Sequence, residues 1–86
     1  MKPSRVLLVE DNYANQRLGM AFLELMGIEA DIAANGEDAV EAVRGRAYDA
    51  VLMDIQMPGM NGLDAAAAIR RLNGGRGRMP IIAMTA

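Results

Sequence analysis

Two continuous apolar runs, each stopping on acidic residues, constrain this chain more than any other feature. Val6-Leu7-Leu8-Val9 ends at Glu10-Asp11, and Ala50-Val51-Leu52-Met53 ends at Asp54. Consecutive apolar residues without polar alternation are what a parallel strand covered on both faces requires. Pro80 to Thr85 reads as another such strand, close to the end of the sequence given. Ile28 to Ala33 instead alternates Ile28, Ala30 and Ile32 with Glu29 and Asp31, as a half-exposed strand near a sheet edge does.

The stretches between these runs carry helical periodicity. From about Tyr13 to Met26, Leu18, Phe22 and Leu25 with Ala14 and Ala21 recur at three- and four-residue spacings, while Gln16, Arg17 and Glu24 fall elsewhere. An amphipathic helix with that apolar stripe is expected, capped by Gly27. Asn35-Gly36 turns the chain, and Glu37 to Arg44 sets Ala39, Val40 and Val43 on one side of a second helix ended by Gly45. Its first turns hold Glu37, Asp38 and Glu41, where acids favour the positive helix end. After a loop containing Pro58, Gly59, Asn61 and Gly62, Leu63 to Leu72 carries Leu63, Ala66, Ala67 and Ile69 along a third helix, stopped by Asn73-Gly74-Gly75. Strands alternating with helices imply an α/β fold with a parallel sheet and right-handed crossovers.

Composition narrows the function. Eighty-six residues allow one small domain, whose core is modest and, without Cys, has no disulfide to staple it. The lack of Cys also removes thiolate nucleophiles and Cys-type zinc sites, and fits a reducing, cytoplasmic setting. The lack of His removes an imidazole base and the commonest catalytic triads, leaving chemistry to carboxylates, hydroxyls, backbone groups and Arg. A net charge of −2, no Lys/Arg cluster and only Tyr13, Phe22 and Tyr48 as aromatics argue against a nucleic-acid surface. No apolar stretch approaches the roughly 18 residues of a spanning helix, so no membrane contact and no signal peptide are expected.

In an open parallel sheet, ligands bind outside the carboxyl ends of the strands. Glu10, Asp11, Asp54 and Thr85 all fall there. Three carboxylates on one rim repel one another, which makes sense chiefly if a hard divalent cation binds, and oxygen-only ligation suits Mg²⁺. A carboxylate beside such a cation also serves as a nucleophile toward phosphorus. Taken singly, each acid is more simply a solvated turn residue or helix cap. Asp54, between Met53 and Ile55, reads as lying nearer the core than a turn acid does, where an unpaired carboxylate costs several kcal/mol. Pro58 and Gly62 serve equally as loop punctuation. Met53, Met57, Met60 and Met84 read as gap-filling residues, and Arg70 and Arg71 as solvated charges complementing a helix dipole.

Val6-Leu7-Leu8-Val9-Glu10-Asp11-Asn12, the stretch from Asp49 to Gly62 with its Asp-x-x-Met-Pro-x-Met-x-Gly pattern, and Pro80-Ile81-Ile82-Ala83-Met84-Thr85-Ala86 together resemble the receiver domain of two-component response regulators. The resemblance runs in order over essentially the whole chain. Glu-Asp-Asn-x-x-Asn, with Asn12 and Asn15, is most similar to receivers attached to hybrid sensor histidine kinases. The resemblance implies a flavodoxin-like (CheY-like) sheet in order 2-1-3-4. It implies Asp54 as phosphoacceptor from a phosphohistidine of a sensor kinase or histidine phosphotransfer domain. It also implies Mg²⁺ held by Glu10, Asp11, Asp54 and the backbone carbonyl of Gln56. Thr85 would contact the phosphoryl group beside the small Ala86, Pro58 and Gly62 would shape the loop, and the Gln56 side chain would tune water access.

The family normally continues with a helix, a fifth strand ending in a Lys, and a final helix. Here the only Lys is Lys2, ahead of strand one, so no residue takes that catalytic position. The sequence therefore reads as a partial receiver, residues 1–86, that is a signalling phosphoacceptor rather than an enzyme. The alternative is a metal-binding or interaction scaffold completed by another chain, with self-association through the exposed edge of strand four. An Asp-nucleophile phosphohydrolase is disfavoured because Gln56 stands where such enzymes need a second acid.

Overall fold

The computed structural model describes residues 4–55, 57, 59, 61–72 and 77–84. Four strands, β1 (Arg5–Val9), β2 (Glu29–Ala33), β3 (Ala50–Asp54) and β4 (Ile81–Met84), alternate with helices α1 (Tyr13–Leu25), α2 (Gly36–Gly45) and α3 (Gly62–Arg70). All pairings are parallel and the order is β2-β1-β3-β4, as expected. The alternating Glu29–Ala33 strand is indeed an edge.

Each helix begins on an Asn whose side chain accepts the backbone N–H three residues on: Asn12 from Asn15 at 3.0 Å, Asn35 from Asp38 at 2.7 Å and Asn61 from Asp64 at 2.9 Å. Each bond satisfies one of the donors a helix start leaves open. At its far end α1 closes on Gly27, whose φ of 73° is costly for any residue with a Cβ. Gly27 N–H donates to Glu24 O and Ile28 N–H to Leu23 O, the paired bonds of a Schellman closure.

Successive strand residues face opposite sides, and the two faces are covered unequally. Leu7, Val9, Val51 and Met53 point toward α2 and α3, where Ala39, Val43, Ala65 and Ile69 complete a fully buried core. On the other face α1 lies over β1, with Gly19 so near Leu8 that a Cβ there would sit 2.8 Å from Leu8 Cδ2. The expected apolar stripe of α1 is not its buried face. Leu18, Phe22 and Leu25 are 59%, 58% and 83% exposed, and Leu23 is the buried residue, with Gln16, Gly19 and Met20 half-buried. Among the described residues one helix covers the β1–β2 half of this face, so the stripe lies beside the half that no described helix covers.

The same asymmetry corrects the reading of β4 as a buried strand: Ile82 and Ala83 are exposed, and Ile81 and Met84 half-buried. In α3 the inward residues are Ala65 and Ile69, whereas Leu63 and Ala67 face outward. Arg70, expected only to face water, donates through Nη1 to Gly77 O at 2.8 Å and Met79 O at 2.6 Å, tying the end of α3 to the approach to β4.

Away from the three acids, an ion-paired cluster gathers around Asp31 of β2. Asp31 accepts from Arg5, Arg46 and the Tyr48 hydroxyl, the last at 2.7 Å. Burial first, and then the bond to the Asp31 carboxylate and its charge, push the Tyr48 hydroxyl up from 10.0 to about 12. The folded state thus keeps this proton longer than the unfolded chain. Stability it supports is complete below pH 10 and is lost as pH rises to about 12, an effect of about 2–3 kcal/mol. Tyr48→Phe is expected to cost about 1 kcal/mol at neutral pH. It should also flatten the alkaline limb in urea melts across pH 9–12, relative to wild type.

Candidate functional site

The register places the acids. Val9 stands opposite Met53, so the next residues, Glu10 and Asp54, leave adjacent parallel strands side by side. Glu10, Asp11 and Asp54 each offer a carboxylate oxygen within 4.8 Å of the others. Asp54 is half-buried, deeper than the exposed Asp11, but Glu10, only 7% exposed, lies deeper than either. The strongly desolvated acid is therefore Glu10. Sequence missed this because depth here depends on how α1 folds back over the end of β1, not on the apolar run before the acid.

Burial is the main cause that raises Glu10 above the ordinary carboxylate value, and the hydrogen bond with Asp54, the charge of Asp54 and a hydrogen bond with Asp11 add to it. The Asn12 N–H donates to Glu10 Oε2 at 3.1 Å and acts in the opposite direction. The backbone carbonyl of Glu10 accepts from Gln16 Nε2 at 2.7 Å. Gln16 had been placed off the helix stripe with nothing to single it out, since its partner is a main-chain atom that no side-chain pattern reveals.

Gly62 starts α3 against the end of β3. A Cβ there would lie 2.5 Å from Asp54 O and 2.6 Å from Ile55 Cα, so the helix approaches the acid's own backbone as only glycine permits. Met84 pairs in register with Asp54. Between α1 and the uncovered strands an open groove of about 370 Å³ runs from Leu18 and Phe22 to Glu10 and Asp54. Gln56, Pro58, Thr85 and Ala86, expected at this site, lie outside the described residues.

A clustered, partly desolvated set of three carboxylates suits a hard divalent cation, because each oxygen ligand both neutralises charge and replaces lost water. Fold and rim together define a parallel α/β domain with an acidic site at the carboxyl end of its central strands. A sequence profile of the response regulator receiver domain family matches residues 6–86, and the chain belongs to that family.

The relatives agree. The chain is 53% identical over 70 residues to the response regulator SskA of Aspergillus fumigatus, covering 81% of this chain and 8% of that protein. It is 49% identical over 84 residues to the sensor protein GacS of Pseudomonas syringae, covering 95% and 9%. The chain thus spans under a tenth of the length of these two relatives. Among solved structures, the receiver domain of the sensor histidine kinase PA1611 from Pseudomonas aeruginosa superposes with a TM-score of 0.91 at 41% identity, covering 99% of this chain and 69% of that one. That structure has a magnesium ion coordinated in its active-site cleft. This chain is therefore a receiver domain of two-component signalling.

Proposed function

We propose that the domain accepts a phosphoryl group on Asp54 from the phosphohistidine of a sensor histidine kinase or histidine phosphotransfer domain, in the presence of Mg²⁺. The observation that carries this reading is the convergence of Glu10, Asp11 and Asp54 within 4.8 Å at the end of β1 and β3. Asp54, the half-buried member in the middle of the sheet, is the nucleophile. One of its carboxylate oxygens bonds to phosphorus as the P–N bond of the donor breaks, and the departing imidazole takes up a proton. Glu10 and Asp11, with Asp54, would hold the cation, which when bound neutralises charge on the phosphoryl oxygens. Expected roles of the Gln56 carbonyl and of Thr85 fit the same scheme.

The absence of His agrees with a donor supplied by another domain. No turnover of a separate substrate is proposed, only transfer to Asp54 and its later hydrolysis, in a cytoplasmic setting. No described helix is long and apolar enough to cross a membrane. Because β4 has β3 as its one partner strand among the described residues, its outer edge is also proposed as a self-association surface.

The reading is tested by incubating the protein with a small acyl phosphate and following the intact mass. Labelling that requires Mg²⁺ and disappears with a chelator is expected; labelling indifferent to the cation would refute it. Glu10→Gln supplies a second check. Removing the desolvated charge should raise the melting temperature of the metal-free protein and weaken Mg²⁺ binding by about tenfold or more. Calorimetric titration beside a thermal melt reads both.

A further inference from the structure

Glu10 projects from the end of a strand into a turn, where nothing in the sheet ladder fixes its main chain on the carbonyl side. The turn is held by hydrogen bonds that form a closed circuit. Asn12 N–H donates to Glu10 Oε2 at 3.1 Å, Asn15 N–H to Asn12 Oδ1 at 3.0 Å, and Gln16 N–H to Asn12 O at 2.9 Å. Gln16 Nε2 then reaches back to Glu10 O at 2.7 Å. Two of the four bonds reach Glu10: the Asn12 N–H holds its carboxylate from the cap, and Gln16 Nε2 holds its main-chain carbonyl from within α1, across six positions of chain.

From this circuit we infer that Gln16 is a positioning residue of the acidic site, holding the Glu10 backbone so that its carboxylate faces Asp54 and a divalent cation. The inference rests on the metal-assisted phosphoacceptor reading above. Its physical basis is the cost of freedom at a metal ligand. If the turn pivots, Glu10 loses its alignment with Asp54, whereas the helix itself survives because its Asn12 cap is untouched. Gln16 is half-buried, so its amide bond to the carbonyl is partly shielded from water that would otherwise replace it. Bonds of this outer kind orient metal ligands, and their loss commonly costs about 10–100-fold in metal affinity. An expectation of about tenfold is reasonable for a bond to the main chain rather than to the ligating group.

The test compares wild type, Gln16→Leu and Gln16→Ala for Mg²⁺ affinity by calorimetric titration and for metal-free melting temperature. Alanine, the better helix former, keeps the comparison available if leucine leaves too much apolar surface. Mg²⁺ binding weakened about tenfold in a protein that still melts cooperatively supports the positioning role. Amide exchange should also quicken at Asp11 and Asn12 but not in the middle of α1. A lowered melting temperature with unchanged Mg²⁺ affinity would show a merely structural bond and overturn the inference while leaving the phosphoacceptor reading intact. A wild-type protein that binds no Mg²⁺ would overturn both.

Discussion

Asp54→Ala is expected to reduce phosphoryl labelling to background while leaving the fold in place. The side chain sits at the end of β3, a strand paired on both sides, level with Glu10 across the sheet. Alanine retains the strand backbone and removes a charge from beside the buried Glu10, whose ionisation Asp54 opposes. Metal-free Asp54→Ala should therefore melt no lower than wild type, so that loss of labelling reads as loss of the nucleophile. Intact mass after treatment with a small acyl phosphate, with peptide mapping of any residual label, decides the matter. Label at another residue in wild type, with Asp54 unmodified, would sink the assignment.

Gly62→Ala should produce the second large effect, on stability and on the site together. Gly62 does not need glycine for its dihedral angles: the positive-φ glycines among the described residues are Gly27 and Gly59. It needs glycine for space. The nearest atoms to an added Cβ are the Asp54 carbonyl oxygen at 2.5 Å and Ile55 Cα at 2.6 Å, both main chain, with Met53 Cγ at 3.0 Å. A flexible side chain could swing away, but a central strand cannot. Accommodation must come from α3 moving off β3, which opens the core at Ala65 and Ile69, both fully buried. A cost of about 3 kcal/mol is expected, or on the order of 15 °C in melting temperature for a domain of this size. Slower labelling at a temperature where the variant is still folded would accompany it, because the displaced helix start packs directly on the backbone of Asp54.

Much of this architecture was legible in the residues. The continuous apolar runs announced parallel strands, and the acids after them announced a rim, because strand ends in a parallel sheet share one edge. Asn35 and Asn61 read as turn and loop residues, and Asn12 as part of the family resemblance; their hydrogen bonds show that all three cap helices. Less legible was which apolar residues would be inside. Leu18, Phe22 and Leu25 have the spacing of a core stripe, yet burial depends on what lies opposite, and among the described residues a single helix packs on that side of the sheet.

The acidic site divides in the same way. Residue types and their positions after strands determined that carboxylates would meet at the carboxyl edge and that the given sequence holds no imidazole beside them; the hard cation and the phosphorus chemistry are what we propose for that edge. Only the tertiary structure decided that Glu10 rather than Asp54 is the most desolvated acid, that Gly62 is reserved for the Asp54 backbone, and that Gln16 grips the turn. Sequence periodicity reports which side of an element a residue occupies, whereas burial, close approach and main-chain hydrogen bonds depend on distances between elements that are set when they pack.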